Sequence, residues 1–444
     1  MTDLECVREI KTNGNIISGY VLRDKSGNER EFKSKDIRYL IETNKVNISN
    51  LRMKSDGRLI MLSPLLKLDD LSINHIISKA RLLNNLSILK TADRHECYLA
   101  KYLPETYILY IPDDVTGEKC DGSGHGWAAL FDNKTQSAFI DAVEHSILYV
   151  YGGKNVLTLS SVFKYAKMKE LNLTYFTSDK VMDMSFMFND AVIDNINFGT
   201  LSAKNVLDMR AAFRGLHTTF LDIDFIHGQN IKHARVLFGN CMIDTINIRN
   251  LNLEYCDCAN MFERADIHKI DFNELKIYRP TNFNSAFRWA RINNIVLNHI
   301  DTSKIKDFDL MFEGCISDVI DISKFSLESA ERTGEMFRNC NADTVIYAKT
   351  PAPVLSKVHG MFSLSKIRFI DISNSDFSHT NELTDMFFGA HVQEIDMKNI
   401  MIGQETTADE RTFMHCTAHI DYTHLSEPLA TLVEDQNRKI NAHK

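Results

Sequence analysis

The chain has 444 residues, 44% of them hydrophobic and 25% charged, with 19 Gly, 7 Pro and a formal charge of −8. That length exceeds what one ordinary core supports, and the composition excludes disordered, collagen-like and low-complexity chains. The negative balance argues against wrapping duplex nucleic acid, which depends on Lys and Arg neutralising phosphates, and no apolar run reaches the ~18 residues of a membrane span.

Met1 to Glu5 is acidic and lacks a charged-then-apolar leader, so cytoplasmic residence without a membrane anchor is the expectation. Residues 1–62 read as a small ββαβ module. Glu5 to Thr12 and Ile16 to Arg23 are strand-like around the Asn13-Gly14-Asn15 turn, and Ser26-Gly27-Asn28 forms a second turn. A helix capped by Ser34 or Asp36 follows, with Ile37, Leu40 and Ile41 as its stripe, and Val46 to Met53 returns as a strand before Asp56-Gly57.

Residues 63–138 read as a helical linker and a strand-rich junction. Ile73, Ile76, Ile77, Ala80, Leu83 and Leu86 mark one face of a helix running from Leu68 to about Leu103. Tyr107 to Ile111 and Trp127 to Phe131 then read as strands around a glycine-rich loop.

Candidate chemistry is sparse. Cys120-Asp121-Gly122-Ser123-Gly124-His125 places Cys and His five apart, a spacing open to metal or to a nucleophile and base, but no second ligand pair accompanies it and a flexible loop explains it. His95-Glu96 opens like a zinc-protease motif, yet Leu99 stands where the second His belongs, so a solvated helix face is the expectation there. Tyr151-Gly152-Gly153-Lys154 lacks the spaced glycines of a phosphate loop and reads as a turn. No catalytic residue, metal or cofactor is expected. The competing possibility is an enzyme or nuclease with its active site within residues 1–138, aimed at its target by the rest of the chain.

Residues 139–423 carry an internal repeat. Phe163, Phe188, Phe213, Phe238, Phe262, Phe287, Phe312, Phe337, Phe362, Phe387 and Phe413 recur every 24 to 26 residues, and Phe139 looks like a degenerate first coil. Three positions later a small side chain stands in nearly every coil, Leu216 being the exception. Cys241, Cys315, Cys340 and Cys416 occupy that position, where a reduced thiol acts as a small hydrophobe. Paired apolar residues eight and ten after each Phe, such as Ile320 and Ile322 or Ile370 and Ile372, predict one short strand per coil and hence a long parallel sheet. The segment before each Phe, such as Val181 to Phe188, predicts one or two helical turns.

Segments such as Asp183-Met184-Ser185-Phe186-Met187-Phe188, Met311-Phe312-Glu313-Gly314-Cys315 and Ile320-Asp321-Ile322-Ser323-Lys324-Phe325 resemble the BspA-like leucine-rich repeats of bacterial surface proteins, mycoplasma lipoproteins and phage proteins. The expected fold is therefore α/β: a parallel-sheet, leucine-rich-repeat-like solenoid of about a dozen 25-residue coils behind a small α+β N-terminal domain. The resemblance implies a non-catalytic, protein-binding solenoid, and by analogy a phage-encoded inhibitor of a host defence enzyme such as a CRISPR nuclease.

Residues flanking the core pair on each strand point to the opposite face, where Asn and Asp dominate. Four successive coils break that rule with Val296, Val319, Ile346 and Phe369. Contiguous exposed apolar residues mark contact sites, so these four, with Asp321 and Asp371 beside them, are the candidate partner-binding residues. Residues 424–444 form a tail, helical from Pro428 to Asn441, that has the option of covering that patch.

Overall fold

The computed structural model describes residues 70–117 and residues 130–418 apart from 200, 224, 225, 227–229 and 250. At the ends it describes 2–12, 16–24, 26, 28–33, 36, 37, 46–48, 51–53, 59–61, 420, 421, 425 and 429–442.

At the N-terminus, β1 (Thr2–Thr12), β2 (Ile16–Asp24) and β3 (Glu29–Lys33) form an antiparallel meander, and β4 (Val46–Ile48) adds parallel to β1. The third strand is absent from the ββαβ expectation. It follows from a tight turn in which the Asp24 carboxylate accepts the amides of Ser26 and Asn28, sending the chain straight back along β2. The expected single strand from Val46 to Met53 is two: β5 (Leu51–Met53) leaves β4 to pair with β6 (Leu59–Met61). Asp36 and Ile37 are helical, whereas Leu40 and Ile41 lie outside the described residues.

The next helix, α1 (Asp70–Leu82), ends well short of the expected Leu103. Asn84 takes a left-handed conformation (φ 54°) and breaks it. The chain continues as β7 (Leu86–Lys90), β8 (Glu96–Leu103) and β9 (Thr106–Ile111), in which Leu89, Cys97, Leu99 and Leu109 turn inward at strand spacing. The helical stripe was thus joined across a boundary to residues of period two.

A 15-stranded sheet runs the length of the molecule. Strands β7 to β9 begin it as an antiparallel meander, and from β9 onward it is parallel. Its further members are β10 (Ile147–Gly152), β11 (Lys167–Phe176), β12 (Val192–Asn197), β13 (His217–Asp222), β14 (Met242–Asn247), β16 (Asp266–Lys269), β18 (Arg291–Ile292), β19 (Asn294–Val296), β20 (Ile316–Asp321), β21 (Asn341–Ile346), β22 (Lys366–Asp371) and β24 (His391–Asp396). After the main strand some coils add a short second one: β15 (Asn252–Glu254) pairs β17 (Lys276–Tyr278), and β23 (Asp376–Phe377) pairs β25 (Met401–Ile402). The protein is a parallel-strand solenoid behind a small N-terminal α+β region.

Opposite the sheet, the Phe column is buried and stacked, with ring centroids 5.0 to 5.7 Å apart from Phe163 to Phe413. Phe139 caps that column from α2 (Asn133–Ala142), a helix whose N-cap Asp132 accepts the Thr135 amide; this first, degenerate coil has a helix in place of the turns and keeps its strand, β10. In the strand that follows, the offsets of eight and ten from Phe139 put Ile147 and Tyr149 inside, but the register differs by one: Leu148 and Val150 enter the core beside Leu171, while Tyr149 and Tyr151 turn outward.

The segments before each Phe are not helical. In the coil of Phe163 the amides of Leu159, Ser161, Phe163 and Tyr165 donate to carbonyls of the following coil, and those of Val162, Lys164 and Ala166 close turns three residues back. Ser161 and Tyr165 are left-handed, as are Phe186 with Asp190, Ala211 with Gly215 and Val236 with Asn240 in the next three coils. The physical reason is the direction of the N–H groups. A helix aims all of them along its own axis, whereas a chain of turns with a left-handed residue two before and two after the Phe aims every second one at the neighbouring coil, so each coil satisfies these groups by stacking.

The last helix, α3 (Leu429–Ala442), closes the far end. Leu429 and Val433 join the core, Gln436 donates to the Cys416 carbonyl, and Asn437 bonds both backbone groups of Ile420. Pro428 lies outside the described residues.

Candidate protein interface on the sheet face

Several main strands end in Asn or Asp for a local reason. The Asn or Asp side chain accepts the amide two residues on, as Asn197 does from Gly199 (3.0 Å), Asp321 from Ser323 (2.9 Å), Asp371 from Ser373 (2.9 Å) and Asp396 from Lys398 (2.9 Å). These Asx turns bend the chain off the sheet into the rest of the coil. A second set stands before the Phe in several coils, where Asp183, Asp208, Asp257 and Asn282 hold the amides of Ser185, Arg210, Ala259 and Asn284. Much of the Asn and Asp on the outer face is therefore turn chemistry, with side-chain bonds between coils, such as Asn247 to Asp222 (3.0 Å), as a supplement.

Where Val296 and Ile346 replace the strand-end acid, the side chain cannot make that bond and stands half-buried. Val319 and Phe369 sit two residues before the strand end and are also half-buried, with their neighbours Ile320 and Ile370 fully in the core. None of the four is rotated into the core, and none lies beneath α3.

The register decides how they meet. Val319 pairs with Thr344, which pairs with Phe369, in one row; Val296 pairs with Asp321, then Ile346, then Asp371, in the other. The four apolar side chains therefore form a zigzag across β19, β20, β21 and β22, with Asp321 and Asp371 at the alternate corners. Diagonal neighbours on a sheet lie about 7–8 Å apart, within reach of long side chains. Asp321 also accepts from Asn298 (2.8 Å), and Asp371 accepts the Lys349 ammonium (2.7 Å). Burial raises the Asp371 carboxyl, but the bonds from Lys349 and Ser373 outweigh it and hold the group below the usual carboxylate range.

The same outer face is already occupied at its other end. Ile73 and Ile77 of α1 pack on Ile108, Tyr149 and Tyr151, with Leu86, Tyr98 and Tyr175 at the margin. The helical stripe is legible in the sequence, but its target is not, because Tyr149 falls on a core offset from Phe139 and Tyr151 reads as part of the glycine turn.

The remaining candidates fall elsewhere. Cys120, His125 and Trp127 lie outside the described residues. His95 sits on the β7–β8 hairpin and not on a helix, 3.3 Å from Asp93. Burial raises Asp93, yet bonds from Thr91, Thr116 and Gly117 dominate and lower it, so this carboxylate pins the strand leaving β9 to the hairpin. Cys97 beside it is buried, which pushes its thiol up to about 12. Gly152 and Gly153 are left-handed, and a side chain there would strike the Ile111 carbonyl or the Phe176 ring, so the pair is a turn imposed by packing. No three His, Cys, Asp or Glu side chains converge on a possible metal site among the described residues. None of the described helices is long and apolar enough to cross a membrane.

No curated protein and no solved structure matches the chain. A family model described as "Mycoplasma protein of unknown function, DUF285" matches residues 133–251 and 256–347, that is, α2 and the coils through β21. Over those two stretches the chain is similar to this mycoplasma repeat family.

Proposed function

We propose that the chain is a non-catalytic scaffold, built of repeats of the BspA-like leucine-rich type, that binds a protein partner on the outer face of its sheet. The observation that supports this reading is the zigzag of Val296, Val319, Ile346 and Phe369, four half-buried apolar side chains on consecutive strands that no other element of the described residues covers. A sheet backed by a stacked core is a rigid platform, so a partner loses little freedom by ordering it. Apolar anchors ringed by polar groups are where interfaces concentrate their energy. From the family resemblance the proposal extends to one mode of action, in which the bound protein is a bacterial enzyme held inactive.

The test compares proteins captured from bacterial lysate by the wild-type chain and by the Ile346→Glu/Phe369→Glu variant, quantified by mass spectrometry. A partner on this face is enriched by wild type and falls at least tenfold with the variant, a change of about 1.4 kcal/mol. Equal capture of every protein by both chains removes the face from the reading. An enzyme among the captured proteins is then assayed with and without the chain.

A further inference from the structure

We infer that the open zigzag receives an amphipathic α-helix of the partner, laid across the strands as α1 already lies on the same face. The inference rests on the interface reading above and adds the partner's shape. Helix α1 has 13 residues, or about 20 Å of length. Its backbone lies against β7 and β8, and its Ile73 and Ile77 pack on Ile108 of β9 and on Tyr149 and Tyr151 of β10, four strands whose spacing spans about 14 Å. A helix about 10–12 Å wide reaches all four only by lying across them. This face therefore accepts a helix in this orientation, and the intramolecular contact shows which side chains do it: a row of apolar and aromatic residues on alternate strand positions.

The strands from β12 to β16 separate the covered part from the open part; at their fourth and sixth positions they are polar apart from Phe220, with Val192 and Met242 exposed at the first position. Beyond them the apolar character returns in a zigzag over β19 to β22, about 14 Å across at the usual strand spacing. Some ten helical residues rise about 15 Å. Their apolar stripe, at i, i+3, i+4 and i+7, advances about 5 Å per turn along the axis, close to the strand spacing. An extended strand laid along the same axis presents one side chain per ~6.7 Å on that face and runs out of register with the zigzag within two strands. Acidic corners at Asp321 and Asp371 are engaged by Asn298 and Lys349, so they bound the site without demanding a basic helix.

The experiment uses the full chain as bait for a phage-displayed library of random 20-residue peptides, with counter-selection on the Ile346→Glu/Phe369→Glu variant. Thermal melts check that the variant folds; if it does not, Ile346→Ser/Phe369→Ser replaces it. Expected are peptides with apolar residues at i, i+3, i+4 and i+7 that gain helical circular dichroism on binding and lose at least tenfold in affinity for the variant. Variant-sensitive peptides of period two that bind extended overturn this inference and leave the interface standing. Self-association of the chain in sedimentation, abolished by the variant, also overturns it, because the occupant is then a second copy. If no selected peptide senses the variant, this inference and the interface reading fall together.

Discussion

Phe312 carries the stacked-core argument most directly. Its side chain is fully buried, and its ring lies 5.4 Å from Phe287 and 5.2 Å from Phe337, nearly parallel to both. Phe312→Ala removes the ring from between two others held by their own coils, so the gap cannot close and the cost falls in the range of about 3–5 kcal/mol seen for large core truncations. Because each coil is stabilised mainly by its neighbours, a break in the middle of the array has a second consequence. Unfolding separates into two steps, each with a smaller denaturant dependence than the single wild-type transition. Urea titration followed by circular dichroism reads both quantities. A loss below about 1.5 kcal/mol with an unchanged slope refutes the idea that the column is the cooperative element.

Three further outcomes follow from single features. Gly314 is left-handed (φ 65°) and its missing side chain leaves room for the Trp289 ring, so Gly314→Ala costs about 1–3 kcal/mol in chemical denaturation, and Trp289→Ala in the same chain recovers part of it. Burial raises the thiols of Cys241, Cys315, Cys340 and Cys416, the last to about 11, so all four label slowly with thiol reagent at neutral pH and quickly in denaturant; rapid native labelling contradicts the assignment. Asp371 has a lowered folded pKa, so its contribution is complete above about pH 4 and fades as pH falls through the folded value; Asp371→Asn flattens that acid limb in melts, and an unchanged limb counts against the Lys349 and Ser373 bonds.

What the sequence made legible is what repeats. One Phe, one small residue and one apolar pair per coil fix the column, the Cys position and the sheet, because stacking forces the same environment on the same offset. Elements that occur once were harder. The end of α1 at Leu82 is set by Asn84, a single residue whose left-handed conformation has no periodic signal, and Leu83 and Leu86 happen to extend the stripe past it. The outward turn of Tyr149 and Tyr151 goes with α1 covering them, a tertiary contact that favours an apolar outer face at that end. For the candidate interface, the alternation identified the residues, whereas their zigzag with Asp321 and Asp371 needed the register between strands.

The turn chains before each Phe had a signal that reads as helix only if glycine and asparagine are overlooked. In six coils the residue two after the Phe is Asp190, Gly215, Asn240, Gly314, Asn339 or Gly389, all left-handed and of the types that tolerate this conformation best, while Tyr165, Arg264, Trp289, Leu364 and His415 take it at the same position without that advantage. Two residues before the Phe the rule relaxes, and Val236 (φ 57°) occupies the position despite its branched side chain. Left-handed strain at such a residue costs about 1–3 kcal/mol. Its half-buried side chain returns about 1 kcal/mol, and a glycine adds about 0.5–1 kcal/mol of unfolded-state entropy. Val236→Gly should therefore change stability by no more than about 1 kcal/mol in either direction. Val345, fully buried on β21, has no strain to release, so Val345→Gly forfeits the whole side chain and costs about 3 kcal/mol or more. Urea titration of the two variants side by side gives a gap of at least about 2 kcal/mol if the alternating turns are real. Equal losses refute them, because in a helical turn both valines would be ordinary core residues.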